Sequence, residues 1–205
     1  MSNDRKDELH SIIQDGVEDR INAISEFFSA ATEISIEPCQ QSTNSPDIWV
    51  ILLRDSGHNK PQNIMVFFEY SEEQAKIAAR QLALIFTAFG YEIVENSKSI
   101  DFSEEEQDRI NEMGEFFLQS QVLTSSFAVN EDSWMIILSS DILQKQLEVM
   151  RLDKSSKMSV VFAEKCLGLF LASQDKSLTL ADGTEINLYG CAVYGEFEAD
   201  PDEEN

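Results

Sequence analysis

Histidine and cysteine, the residues that most often carry catalysis or bind metal, are scarce in this 205-residue chain. Its two histidines, His10 and His58, lie in separate segments, and neither has neighbours spaced as a catalytic triad or a metal cluster requires. We interpret both as solvated surface residues. The cysteines Cys39, Cys166 and Cys191 are an odd number without metal-ligand spacing. Cys166 lies in the apolar run VVFAEKCLGLFL, which favours a reduced and buried thiol.

Carboxylates are the one chemically useful group in abundance, and they cluster in DFSEEEQD (101–108). A calcium loop would need a mid-loop glycine and alternating ligands, which this segment lacks. Ser103 followed by Glu106 instead predicts a capping box at a helix start, where carboxylates favour the helix dipole. The eight glycines are scattered and form no phosphate-binding loop. We therefore expect a protein that is not an enzyme and that uses no metal and no cofactor.

The overall charge narrows the kinds of partner. With 38 acidic and 15 basic residues, the formal net charge is -23. Direct binding of nucleic acid or of anionic membranes needs clustered Lys and Arg, so neither is expected. A hydrophobic content of 42% and 13 phenylalanines predict a folded chain rather than a disordered acidic one. No apolar run approaches a membrane span and the N-terminus lacks a signal core, so we predict cytoplasmic localisation without membrane insertion.

Two segments of the first half recur in the second half. The segment DRINAISEFF (19–28) returns as DRINEMGEFF (108–117), and DIWVILL (47–53) returns as DSWMIIL (132–138). Two ordered matches of this kind indicate an internal duplication.

The second repeated segment carries both tryptophans, Trp49 and Trp134, at the same place. From there the halves align without a gap at a separation of 85 residues, which pairs Met65 with Met150. The two copies of the first motif are further apart along the chain than the two tryptophans, and we place the extra residues of the first half in the loop at 37–46. The gapless match predicts that the strands and the helix after each tryptophan correspond one to one.

Each half reads as a helix, two or three strands, an apolar helix and one or two further strands. This is an α+β arrangement, with a first repeat at 1–99, a second at 100–196 and an acidic flexible tail at 197–205. The apolar helices are predicted at 75–89 and 160–173; being apolar on most sides, they must be buried. Because they are equivalent, we expect them to pack near a pseudo-two-fold axis, as in a dimer.

Finer features follow from the same patterns. Ser71 is the predicted N-cap of the first apolar helix, Gly90 its end, and Asp182-Gly183 a turn. Strands are predicted at 34–38, 48–53, 63–70, 91–95, 126–130, 134–138 and 146–152.

This order of elements, with the acidity and the missing catalytic residues, resembles the small acidic chaperones of type III secretion systems. The resemblance covers residues 6–96 and 103–196, so the chain looks like a chaperone dimer fused into one polypeptide. In size and charge the chain also resembles the acidic adaptors of type IV secretion, the Icm/Dot class. The resemblance implies a cytosolic chaperone or adaptor whose partners are proteins, such as secretion effectors or a secretion coupling complex.

Several repeated residues have two interpretations that the sequence leaves open. Phe27 and Phe116 either complete the core or present an apolar edge to a partner. Trp49 and Trp134 either lie in the core or mark two ligand pockets. In the two DRIN motifs, Asp19-Arg20 and Asp108-Arg109 either cap, form ion pairs or dock between elements.

The acidic charge is concentrated in the second half. Residues 1–100 carry a net charge of -8 and residues 101–205 a net charge of -15. This asymmetry either serves solubility or docks a basic partner surface. An alternative to the adaptor is a DNA mimic that inhibits a nucleic-acid-binding protein. The candidate partner-binding acids are Glu104, Glu105, Glu106 and Glu112.

Overall fold

The protein is an α+β fold with two sheets. The structure, a computed structural model, describes residues 27–28, 31–39, 48–55, 62–69, 71–95, 97–154, 157–187 and 190–193. The histidines, residues 19–26 of the first DRIN segment and the predicted tail at 197–205 lie outside the described residues.

The described residues form three complete helices and eleven strands, and Phe27 and Phe28 are helical as well. The helices are α1 (Glu72–Ala88), α2 (Glu104–Gln119) and α3 (Lys157–Ser173). The first five strands are β1 (Ala31–Cys39), β2 (Ile48–Asp55), β3 (Gln62–Glu69), β4 (Val94–Glu95) and β5 (Lys98–Ser99). The others are β6 (Val122–Val129), β7 (Ser133–Ser140), β8 (Lys145–Asp153), β9 (Ser177–Thr179), β10 (Thr184–Asn187) and β11 (Gly190–Val193).

Both sheets have the same strand order. The first runs β3-β2-β1-β4-β5, and the second runs β8-β7-β6-β9-β10-β11. In each, three consecutive strands pair antiparallel, and the strand after the apolar helix returns parallel to the first of them. A parallel return needs a crossover connection, which α1 and α3 supply.

The third strands of the two sheets correspond with a shift that the sequence alignment missed. Phe67 pairs with Ile51 and Met150 pairs with Ile136, so β3 and β8 correspond 83 residues apart (67 and 150). The pairing of Met65 with Met150 is therefore wrong by two residues. The helices keep the separation of 85 (72 and 157). Connections before and after the strand absorb the difference, because surface connections tolerate length changes at little cost.

The end of α1 confirms the predicted stop at Gly90, and α3 ends in the same way. Gly90 follows α1 with φ 84°, and Asp175 follows α3 with φ 57°. In both places the next residue donates its N–H back to the helix: Tyr91 to Phe86 O at 3.1 Å, and Lys176 to Leu171 O at 3.0 Å. These bonds hold the chain in a helix cap, so strand β4 is shorter than the predicted 91–95.

The turns and the start of α1 also follow the sequence. Ser71 caps α1, its hydroxyl accepting the N–H of Gln74 at 3.2 Å. Gly183, with φ 84°, turns the chain between β9 and β10, as predicted.

A single hydrophobic cluster contains residues from both halves. Its aromatic centre joins the two apolar helices, since Phe86 of α1 and Phe170 of α3 stack at 4.3 Å between ring centroids. Helix α1 also packs against β8, and α3 packs against β3, so each helix reaches the edge strand of the other sheet. The prediction that both helices are buried is confirmed, and the two halves of the chain share one core.

Candidate functional site

A cleft of about 760 Å³ opens between α1, α2 and the edge strand β8. Ligand pockets in proteins have volumes of this order. We call it the α1–α2–β8 cleft. Helix α1 contributes Ile77, Arg80, Gln81 and Leu84, whose spacing of three, four and seven residues places them on one helical face. Leu84 is buried, while Ile77 is 47% exposed at the rim.

An ion pair joins α1 to α2 at one end of the cleft. Arg80 donates Nε and Nη2 to the two carboxylate oxygens of Glu106, each at 2.7 Å. Its guanidinium also lies 4.7 Å from the centre of the Phe102 ring. The hydrogen bonds from Arg80, reinforced by the Ser103 backbone N–H, lower the pKa of Glu106 to about 2. Glu106 therefore completes the predicted capping box and holds two helices together.

A second polar contact joins α1 to β8. The side chain of Gln81 donates Nε2 to the backbone carbonyl of Arg151 at 2.8 Å, and its Oε1 accepts the N–H of Arg151. Gln81 is 7% exposed, so these two hydrogen bonds are largely shielded from solvent. The amide thus hydrogen-bonds the backbone C=O and N–H of Arg151 on this edge strand, as a neighbouring strand would.

A third contact joins α2 to β8. Arg109 donates Nη2 to the backbone carbonyl of Glu148 at 3.2 Å. Docking between elements, one of the interpretations left open for Arg109, is thus the one the structure shows. The Glu148 carboxylate pairs with Arg151 at 2.8 Å, and the hydrogen bond raises the pKa of Arg151. Each pair of walls of the cleft is therefore connected by polar contacts.

The cleft is lined by charged side chains of both signs and by the apolar residues Ile77 and Leu84. Four of the fifteen Lys and Arg residues line it, in a chain whose net charge is -23. Three of them have carboxylate partners: Lys76 with Glu72, Arg80 with Glu106, and Arg151 with Glu148. Such a surface combines an exposed apolar contact with charged groups, as recognition of an amphipathic segment requires.

The predicted acids are divided between the cleft and the outer surface of α2. Glu105 and Glu106 line the cleft, and Glu104 is exposed beside them. Glu112 lies outside the cleft, where it pairs with Lys145 at 2.9 Å.

The predicted aromatic residues are not in the cleft. Phe27 and Phe116 are 5% and 2% exposed, so they pack in the core and present no apolar edge in this structure. Trp49 and Trp134 are half-buried against the core, and the Trp134 indole donates to Lys154 O at 3.1 Å. Repetition of these aromatic residues thus reflects packing shared by the two halves.

No family model, no curated protein and no solved structure matches this chain. Function must therefore be argued from the chain's own residues.

Two other reactive side chains, Cys166 and Lys176, lie outside the cleft and have structural roles. Burial among apolar side chains raises the pKa of the Cys166 thiol to about 12, which keeps it protonated. Lys176 is 7% exposed beside a smaller cavity of about 430 Å³. Its ammonium donates to Ser120 O at 2.8 Å, at the end of α2. A cation there complements the helix dipole.

Metal-ligand clusters and membrane-spanning helices are both absent from the part of the chain that the structure describes. No three His, Cys, Asp or Glu side chains in that part of the chain are grouped as metal ligands. None of its helices is both long and apolar enough to cross a membrane.

Sequence reasoning missed most of the cleft. Ile77, Arg80, Gln81 and Leu84 all lie in the helix predicted as a buried apolar element. The available signal was the three polar residues inside the run AKIAARQLALIF, Lys76, Arg80 and Gln81.

Proposed function

We propose that this protein is a non-enzymatic adaptor or chaperone that binds a segment of a partner protein in the α1–α2–β8 cleft. One observation carries the proposal: Ile77 is 47% exposed on a helix whose other apolar side chains are largely buried, and it faces a cleft of about 760 Å³. An exposed apolar side chain that lines a groove can contact the apolar face of a bound peptide segment.

We also propose that the two halves are a duplicated unit related by a pseudo-two-fold axis near the Phe86–Phe170 ring pair, as in a fused dimer. Support comes from the shared strand order, the equivalent helix ends and the reciprocal contacts of α1 with β8 and of α3 with β3. Phe162, 85 residues after Ile77, is 42% exposed at the same position of α3. Both halves thus leave a large apolar side chain exposed at the same helix position.

In this proposal the protein lies in the cytoplasm of a bacterium and serves a secretion system. It rests on the resemblance of the sequence to acidic secretion chaperones and adaptors. In that setting the bound segment belongs to an effector or to a secretion coupling complex, and the acidic surface keeps the protein soluble.

A site-specific photocrosslinker tests the binding surface. A photoreactive phenylalanine analogue replaces Ile77, and a matched variant carries it at Ile142, which is 72% exposed outside the cleft. After irradiation in the native cytosol, mass spectrometry of the crosslinked peptides identifies the partner segment. The identified segment is then synthesised and titrated into the purified protein.

The proposal predicts a crosslink at position 77 that is absent at position 142, and saturable binding of the synthetic segment that Ile77→Asp weakens at least about tenfold. Equal labelling at both positions, or binding unaffected by Ile77→Asp, would contradict it.

The DNA-mimic alternative has one structural observation in its favour. Glu104, Asp108 and Glu112 are exposed on α2 at intervals of four residues, which aligns their carboxylates about one helical turn apart. A mimic would bind DNA-processing enzymes in competition with duplex DNA. Binding that duplex DNA displaces would favour this function over the adaptor.

A further inference from the structure

The edge of β8 inside the cleft is already hydrogen-bonded. Gln81 occupies both backbone groups of Arg151, and Arg109 occupies the carbonyl of Glu148. A peptide adding as a strand here would have to break these bonds and leave the Oε1 atom of buried Gln81 without its donor, which is costly. Partner recognition at this stretch is therefore made through side chains, as it is when a helix lies in a groove.

Among the described residues, the cleft offers one exposed apolar side chain to an occupant. Ile77 is 47% exposed, whereas Leu84, two turns further along the same face of α1, is buried. An amphipathic helix beside α1 can place an apolar residue on Ile77 while its polar face is turned to the carboxylates of α2.

The charges that remain available at the cleft are mostly negative. Glu95 and Glu105 line it, Glu104 and Asp108 lie next to it on α2, and none forms an ion pair among the described residues. Arg109 is the one lining cation there without a carboxylate partner, and its guanidinium is directed to the Glu148 carbonyl. Complementary charges on an occupant are lysine and arginine.

We propose, resting on the function proposed above, that the cleft binds a basic amphipathic helix. Its apolar face covers Ile77, and its Lys and Arg side chains reach Glu104, Glu105 and Asp108 on α2.

Two designed peptides of about 18 residues, five helical turns, test this proposal. Both carry the same apolar face, and the polar face is Lys-rich in one and Glu-rich in the other. Fluorescence anisotropy measures their binding to the full-length protein. We expect the Lys-rich peptide to bind at least about tenfold more tightly, to weaken as salt rises and to gain helical circular dichroism when bound.

Variants locate the interaction on the surface. Glu105→Gln with Asp108→Asn, and separately Ile77→Asp, are expected to weaken the Lys-rich peptide at least about fivefold. The matched control, Glu131→Gln with Asp141→Asn, removes the same charge from exposed sites away from the cleft and should leave affinity within about twofold. All these positions are exposed, so folding is not at stake.

Equal binding of the two peptides, or equal effects of the cleft and control variants, overturns the proposal. The native segment found by crosslinking separates the two levels of inference. A segment that binds at Ile77 but is extended or acidic contradicts the proposed basic helix and supports the adaptor function. Failure to crosslink any segment at Ile77 contradicts both.

Discussion

The side-chain amide of Gln81 on α1 pairs with both backbone groups of Arg151 on β8, although the two residues are 70 positions apart. This contact joins a helix of the first half to the edge strand of the second. It also occupies an edge that would otherwise be open to another strand.

Replacing Gln81 by Leu should destabilise the protein by about 1–3 kcal/mol, because the backbone groups of Arg151 lose their partners in a region of low exposure. Urea unfolding measures the change. Gln107→Leu, on the exposed face of α2, is the control and should cost less than about 0.5 kcal/mol. Equal losses in the two variants would show that the pairing adds nothing.

The Arg80–Glu106 ion pair predicts a pH-dependent stability. The pKa of Glu106 is lowered to about 2 in the folded protein from 4.5, so the pair stabilises above pH 4.5 and its contribution is lost as pH falls toward 2. Glu106→Gln should cost about 1 kcal/mol at pH 7, and the difference from the natural protein should shrink below pH 4.5. Glu104→Gln, measured in parallel by urea unfolding, is the control and should cost less than Glu106→Gln, because no ion pair joins Glu104 to another described residue.

The shared core predicts that the two halves unfold together. Trp49 and Trp134 report on different halves, so Trp49→Phe and Trp134→Phe leave one fluorescent probe in each. Phe170→Ala, in the second half, should cost about 3–5 kcal/mol and shift both probes to the same denaturant midpoint. Phe162→Ala, at a position 42% exposed, is the smaller control change. Separate midpoints for the two tryptophans would mean independent domains.

The equivalent helix ends make a matched pair of substitutions. Gly90→Ala should destabilise the protein by about 1 kcal/mol, because a residue with a Cβ is strained at the φ of 84° found there. The added Cβ would have no atom within 4 Å, so no packing contact offsets this strain. Asp175→Gly, at φ 57°, should be neutral or stabilising. Thermal unfolding measures both. A stabilising Gly90→Ala would contradict the backbone argument.

Local patterns predicted much of the fold. The Ser103–Glu106 capping box, the stop at Gly90 and the Asp182-Gly183 turn each depend on residues within a few positions of one another. The apolar helices were placed within three residues of their observed ends, because a run that is apolar on most sides has to be buried wherever it lies. Strand β4 was overestimated, since the helix cap takes up Tyr91.

By itself, the sequence determined the α+β class, the repeated order of elements and the excess of acid on the second half. Only the tertiary structure decided which polar residues of the apolar helix meet which partners. Arg80 reaches Glu106 across 26 positions, and Gln81 reaches Arg151 across 70. Periodicity reports which face of a helix is apolar, but not what packs against that face. The exposure of Ile77 follows from where α2 and β8 lie, and long-range packing sets that position.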